Sequence, residues 1–244
     1  MESIVQIKDS VAFVSGANRG IGRAFVEVLL ERGASRVYAA ARDLSSLDSV
    51  AQLDRKRVRS IKLDVKNVAD ARAAAVQAQD VTLLINNAGM LSLGGLGEIS
   101  LDVLRENMET NFVGTLNVIN AFTPILEKRQ GAVVNMLSLA ALVSMPALAA
   151  YNASKAAALS LTQSFRADLG KRGIAVHGVF PGAVDTDMIR SFQMPKTPAV
   201  DVARATLAGI EAGEEDIFPD PMSQQLYTAW RQDHKAVERQ FAAM

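Results

Sequence analysis

Tyr151 and Lys155, in the run Tyr151-Asn-Ala-Ser-Lys155, are the side chains best placed for proton chemistry. Four residues is close to one helical turn, so the two share a face and can point into one site. A free tyrosine has a pKa of about 10 and is a poor acid or base near neutrality. A neighbouring ammonium favours the phenolate and draws that pKa toward the working range. The spacing alone is common on helix surfaces. It gains weight here from Ser138, Asn111 and a glycine-rich turn near the start of the chain.

That turn is Ser15-Gly-Ala-Asn-Arg-Gly-Ile-Gly22. Glycines permit a tight turn and let the backbone approach a pyrophosphate. A helix beginning there offers unpaired N–H groups and positive potential to phosphate. Its spacing is GxxxGxG rather than GxGxxG, and its place between a strand and a helix is the context a dinucleotide site requires. Arg42 lies twenty residues beyond Gly22, where a NAD site has an acidic residue for the ribose 2′-hydroxyl. A guanidinium there could pair with a 2′-phosphate, and Arg19 could close on the same phosphate from inside the turn. Asp43 follows Arg42 and would favour NAD if it pointed inward.

The elements that must position these residues are legible as alternating apolar and helical segments. Strands are expected at Val11–Ser15, Arg36–Ala41, Val58–Asp64, Val81–Asn86, Ala132–Ser138 and Ile174–Phe180. Helices are expected at Gly20–Glu31, near 101–129 and near 149–171. Most of the strands are apolar with little alternation, as for strands covered on both faces. The β-α-β-α order predicts an α/β fold with a parallel, doubly wound sheet, a three-layer Rossmann arrangement. With no linker or repeat, residues 1–244 are read as one domain. Residues 181–200 hold three prolines and are expected to form a substrate loop, and 220–244 a helical tail. In that tail Leu226, Trp230, Val237 and Phe241 make an apolar stripe, expected to pack on the core or on a second subunit.

Composition narrows the function. The 244 residues include 26 basic and 26 acidic ones, so nothing points to nucleic acid or an anionic membrane. A hydrophobic share of 49% excludes disorder. No run of apolar residues is long enough to span a bilayer, and the N-terminus does not read as a signal peptide. The absence of cysteine removes disulfides, thiolate catalysis and zinc-thiolate sites. His177 and His234 lie far apart without acidic companions, so no metal site is expected. A cytoplasmic location is the default expectation.

Taken in order, Ser15-Gly-x-x-x-Gly-Ile-Gly22, Asn86-Asn-Ala-Gly89, Asn111, Ser138, Tyr151-x-x-x-Lys155 and Pro181-Gly182 resemble the short-chain dehydrogenase/reductase family in its short single-domain, carbonyl reductase-like form. The resemblance covers residues 8 to about 212. It implies that Gly16, Gly20 and Gly22 line the diphosphate with Ile21 nearby, and that Asn18 and Arg19 of the same turn also contact the cofactor. It implies further that Asp64 and Val65 contact adenine, and that Asn87, Ala88 and Gly89 pass the adenosine ribose. Pro181, Gly182, Val184 and Thr186 would wrap the nicotinamide. Asn111, Ser138, Tyr151 and Lys155 match the family's catalytic tetrad. Ser138 would hold the substrate oxygen and Tyr151 exchange the proton. Lys155 would lower the tyrosine pKa and hold the ribose, and Asn111 would anchor a relay water. Ser15 replaces the family's usual Thr, and the C-terminal stretch lacks its frequent Val-Asp-Gly-Gly ending, which bears on how the homo-oligomer assembles.

These readings converge on an NADPH-dependent carbonyl reductase, reversibly an alcohol dehydrogenase, with NADP as cofactor and a small carbonyl or alcohol substrate. The alternatives are a NAD-preferring alcohol dehydrogenase, a 3-oxoacyl thioester reductase, and a dinucleotide-sensing regulator that would have no need of Tyr151 and Lys155. The segments expected around the substrate supply Met90, Leu91, Leu139, Val143, Met145, Met188, Phe192 and Met194, an apolar and adaptable set. Self-association is expected through the helices at 101–129 and 149–171.

Overall fold

The structure, a computed structural model, describes residues 5–95 and 97–243. The first half contains β1 (Val11–Ser15), α1 (Gly20–Glu31), β2 (Arg36–Ala41), the single turn α2 (Asp48–Ala51), β3 (Val58–Lys62), α3 (Val68–Gln77), β4 (Leu83–Asn86), α4 (Leu101–Met108) and α5 (Gly114–Arg129). The second half contains β5 (Ala132–Met136), α6 (Ala149–Leu169), β6 (Ala175–Val179), β7 (Val184–Asp185), β8 (Thr197–Pro198), α7 (Ala199–Glu211), β9 (Asp216–Ile217), α8 (Pro221–Gln232) and α9 (His234–Ala242).

Apolar residues at successive strand positions must point to opposite faces. In β1, Ala12 and Val14 join one core, with Phe25 and Leu29 of α1 and Leu207 and Ile210 of α7. Phe13 joins the other, with Ala71 and Ala74 of α3 and Ile119 and Phe122 of α5. The same division separates Leu83 and Ile85 from Leu84, and Val134 from Val133. Both faces are therefore covered, which explains the unbroken apolar runs. The main sheet has seven parallel strands in the order β3-β2-β1-β4-β5-β6-β9, flanked by helical layers. Strand order reverses direction between β1 and β4, so a crevice opens beyond the C-terminal ends of those two strands.

Several strands are shorter than expected: β5 ends at Met136 and β6 spans only Ala175–Val179. β3 stops at Lys62 and β4 begins at Leu83: β3 is an edge strand with only Val58 and Ile61 buried, and the residues before Leu83 belong to the entering loop. A seventh strand, β9, pairs Asp216 and Ile217 with Gly178 and Val179, and is too short to make an apolar run. The helix expected near 101–129 is continuous but holds a π turn at Glu109–Val113, a feature often found at functional sites. Residues 181–200 are not wholly irregular, since β7 and β8 form a small parallel pair. Asp220 starts α8 with a capping box and Pro221 in the first turn, while Asp233 ends α8 and caps α9. No helix among the described residues is long and apolar enough to cross a membrane.

Candidate active site

A cavity of about 690 Å³ occupies the crevice and reaches from Arg42 at one end to Tyr151 and Phe241 at the other. Its floor is the glycine-rich turn. Gly16 has φ of +65°, a left-handed conformation that disfavours any side chain. A Cβ on Gly22 would lie 2.1 Å from the carbonyl oxygen of Gly16, so only glycine lets α1 start so close to the turn. Ser15 accepts hydrogen bonds from the main-chain N–H groups of Asn87 and Ala88, both at 3.0 Å. The amide of Asn87 donates to the carbonyls of Ser15 at 2.9 Å and Gly16 at 3.1 Å. The β1 and β4 ends are thereby locked together. Asn87 lines the cavity, but its N–H donors build the turn rather than reach toward a ribose. Arg19 gives no side-chain cap to α1 and no acidic residue stands in the first turn, which leaves those N–H groups for an anion.

At the far end of the same groove, Arg42 is exposed and lines the cavity with Lys66. The Arg42 charge opposes the Lys66 ammonium, which is held instead by Glu106 at 2.7 Å. Arg42 has no ion-pair partner among the described residues. Asp43 lines the cavity beside Arg42, and both its carboxylate oxygens accept from Ser45, from its main-chain N–H at 3.0 Å and its hydroxyl at 2.8 Å. Those bonds hold the Asp43 pKa below the ordinary carboxylate value. Arg19 meets Asp187 at 3.7 Å across the groove, both well exposed. Asp64 and Val65 line the wall between. Asp64 Oδ1 is fixed by the main-chain N–H of Lys66 at 3.0 Å.

The end of β5 and helix α6 bring Ser138, Tyr151 and Lys155 together. Ser138, just past β5, lines the cavity with Tyr151 and Lys155. Tyr151 is 9% and Lys155 6% exposed. Burial raises the Tyr151 pKa, with Ser138 pulling it part of the way back. Burial lowers the Lys155 pKa to about 8. The Lys155 ammonium donates to the Met136 carbonyl at 2.7 Å and lies 5.7 Å from the centre of the Tyr151 ring. Removing water from both groups disfavours the charged form of each.

Asn111 lies in the π turn, is 2% exposed and does not face the cavity. Its Oδ1 accepts from Met90 N–H at 2.9 Å, and its amide donates to the Met90 carbonyl at 2.9 Å and the Ser154 hydroxyl at 2.8 Å. Both amide hydrogens are committed, and the side chain fixes the strand-end loop to α6. Gly22 likewise lies behind the cavity wall. The other expected residues (Gly16, Asn18, Arg19, Gly20, Ile21, Arg42, Asp64, Val65, Asn87, Ala88, Gly89, Ser138, Tyr151, Lys155, Pro181, Gly182, Val184 and Thr186) all line one cavity. Thr186 closes over the turn, its Cγ2 3.2 Å from where a Cβ of Gly20 would stand. Gly182 N–H donates to Asp220 Oδ2 at 2.8 Å, which ties the Pro181-Gly182 segment to the tail.

Beyond Ser138 and Tyr151 the wall is apolar. Met90, Met136, Met145, Met188, Met194 and Met222 place six of the chain's nine methionines on this one cavity. Leu91, Leu139 and Phe192 join them as expected. Val143 does not: it packs behind Leu139 against Leu226 and Val237 of the tail. Gln240 and Phe241 also line the cavity, a placement no local signal in the sequence announces. No group of three or more His, Cys, Asp or Glu able to hold a metal ion occurs among the described residues.

Known proteins place this site in context. A short chain dehydrogenase of Burkholderia cenocepacia J2315, solved in complex with NADP, superposes with a TM-score of 0.92 at 39% identity, over 97% of this chain and 99% of that one. A short chain dehydrogenase/reductase of Burkholderia phymatum, solved with NAD, gives 0.85 at 26% identity over 97% and 96%. In sequence, the 3-oxoacyl-(acyl-carrier-protein) reductase FabG of Vibrio cholerae is 30% identical over 214 residues, covering 86% of this chain and 85% of that protein. An uncharacterized oxidoreductase of Staphylococcus aureus (strain MW2) is 30% identical over 210 residues, covering 82% and 90%. The family described as short chain dehydrogenase matches residues 10–196, from the start of β1 through the substrate-side loop. With the glycine turn, the seven-stranded sheet and the Ser138–Tyr151–Lys155 cluster in one crevice, the chain belongs to the short chain dehydrogenase family of oxidoreductases.

Proposed function

We propose that this oxidoreductase is an NADPH-dependent reductase of uncharged apolar aldehydes and ketones, acting reversibly. The observation that carries the reading is a buried Tyr151 phenol beside Ser138 and Lys155, in a cavity that six methionines also line. The cradle fits a dinucleotide: the backbone at Gly16 and Gly22 has no room for a Cβ, the first turn of α1 has unused N–H groups, and the cavity extends from there to Arg42. Gly16 to Gly22 would hold its diphosphate and Arg42, with Arg19, a 2′-phosphate. Pro181 to Thr186 would hold the nicotinamide. Bound NADPH supplies the hydride.

The chain's own residues supply orientation and the proton. The Ser138 hydroxyl donates to the carbonyl oxygen and fixes its direction. The raised Tyr151 pKa keeps the phenol protonated at neutral pH, the form needed to protonate the new alkoxide. Lys155, with a pKa near 8, stands close enough to working pH to return a proton toward the phenolate. Asn111 acts as a positioning residue, holding Met90 and Ser154 so that α6 presents Tyr151 and Lys155 correctly. The Arg42 guanidinium on the cavity wall, without an ion-pair partner among the described residues, and the NADP complex of the Burkholderia cenocepacia relative support NADP over NAD. We further propose a homo-oligomer formed through α4, α5 and α6.

The test is initial rates with alkyl and aryl aldehydes and ketones and with acyl thioesters, each with NADPH and with NADH. The expected result is turnover of uncharged carbonyls with NADPH preferred. Turnover confined to acyl thioesters would favour the activity named for the Vibrio cholerae relative, and binding without any turnover would favour a regulator.

A further inference from the structure

We propose that α9 is the outer wall of the substrate pocket and that Phe241 sets the length of apolar chain the pocket accepts. The inference rests on the carbonyl reductase reading for its substrate class, but its geometry does not. Phe241 and Gln240 line the same cavity as Ser138 and Tyr151. Met188, Ile189, Phe192 and Met194 from the loop after β7 line the same cavity. A substrate chain leaving Ser138 therefore runs between that loop and α9.

Three features hold α9 in place. Asp220, 1% exposed, accepts from Gly182 N–H at 2.8 Å and Ser223 N–H at 2.9 Å, which pins the start of α8 to the strand-end loop. A file of aromatic rings continues from the sheet: Phe180 on Phe218 at 5.0 Å, Phe218 on Tyr227 at 3.9 Å and Tyr227 on Trp230 at 6.3 Å, each pair within 16° of parallel. Such stacking carries α8 outward from the core as a rigid strut. Finally, Leu226 and Val237 are buried against Leu139 and Val143, with Trp230 and Phe241 packed on the same cluster. Leu139 directly follows Ser138, so α9 is anchored on the residue beside the substrate-orienting hydroxyl. Val237 and Phe241, one turn apart, put the apolar face of α9 inward, while His234, Lys235, Glu238 and Arg239 remain exposed. Gln240 adds an uncharged polar group beside Phe241, so the far end of an apolar substrate chain is bounded by an aromatic ring.

Two readouts test this. The first is kcat/KM with NADPH along the 2-alkanones from butan-2-one to undecan-2-one. Burying one further methylene is worth about fourfold. Phe241→Ala should shift the optimum to longer ketones and raise the long-to-short ratio about tenfold, with Phe241→Leu between the two. The second uses Trp230, the chain's single tryptophan, packed on the same cluster as Phe241. Titration with undecan-2-ol, without dinucleotide, should change Trp230 emission saturably, and Phe241→Ala should tighten that binding. If wild type and Phe241→Ala share one chain-length profile and one undecan-2-ol affinity, the wall is elsewhere and the proposal is overturned. A Phe241-dependent fluorescence titration with no turnover of any ketone would support the pocket and reject the carbonyl reductase reading.

Discussion

Asp220→Ala removes a carboxylate that works on two segments at once. Its Oδ1 caps α8 through Ser223 N–H, and its Oδ2 takes the N–H of Gly182 in the segment proposed to hold the nicotinamide. Loss of an N-cap costs about 1 kcal/mol. Loss of a hydrogen bond to a charged acceptor costs about 1.5–3 kcal/mol, because the donor is left without an equivalent partner. The sum is about 3 kcal/mol. For a chain of this size each kcal/mol lowers Tm by about 2–4 °C, so a fall of about 6–12 °C is expected. Asp220→Asn keeps one acceptor oxygen and should lose about half as much. The assay is urea unfolding followed by circular dichroism, with the m value compared between variants. The tail should also loosen, so Trp230 emission should move to the red in Asp220→Ala before global unfolding. A loss below about 1 kcal/mol at unchanged m would refute the linkage between the tail and the Gly182 segment.

Arg42→Ala should weaken NADPH binding about tenfold or more and leave NADH binding unchanged, since a charge-assisted phosphate bond is worth about 1.5–3 kcal/mol; calorimetric titration of both dinucleotides checks it. Gly22→Ala should destabilise the fold by about 2–3 kcal/mol and abolish dinucleotide binding, because the added Cβ would stand 2.1 Å from Gly16 oxygen. Lys155 gives a pH signature. Its pKa falls from 10.5 to about 8 on folding, so the unfolded chain binds the extra proton between those values. Stability therefore rises as pH increases from about 8 to 10.5, and Lys155→Met, which carries no buried charge, should lack that rise. The wild type should gain up to about 3 kcal/mol on the variant across the window, read by unfolding at each pH. Sedimentation at micromolar concentration should give a multiple of the single-chain mass, and Ala153→Arg on the exposed face of α6 should lower it.

Much of this arrangement is legible in the residues. Runs such as Val11–Ser15 and Ala132–Met136 announce strands because both faces are buried and most of their residues are apolar. The glycine turn and Tyr151–Lys155 announce themselves because their chemistry depends on local spacing. What escaped depends on contacts distant in sequence. The two residues of β9 become a strand through pairing with β6, not through their own composition. The π turn at Glu109–Val113 leaves the helical pattern intact and shows only when Asn111 is found bonded to Met90 and Ser154. Asn111 and Asn87 were legible as site residues, but their bonding partners were not. Phe241 stands ninety residues beyond Tyr151, and its inward stripe is compatible with any apolar partner. Only the path set by Asp220 and the aromatic file brings it to the cavity. The pKa balance was also invisible, because adjacency of Tyr151 and Lys155 implies attraction while the depth of burial decides the outcome.

The central claim is that Tyr151 delivers the proton in a carbonyl reduction for which the rest of the cavity binds and orients. Tyr151→Phe removes one hydroxyl and leaves the ring and its packing. The measurement is the single-turnover rate of NADPH oxidation with an aryl ketone, alongside NADPH affinity for the same protein. The account predicts an affinity within about twofold of wild type, since less than 0.5 kcal/mol separates the two proteins at the dinucleotide, with oxidation reduced by about a thousandfold. Retention of more than about a tenth of the wild-type rate at unchanged affinity would contradict it.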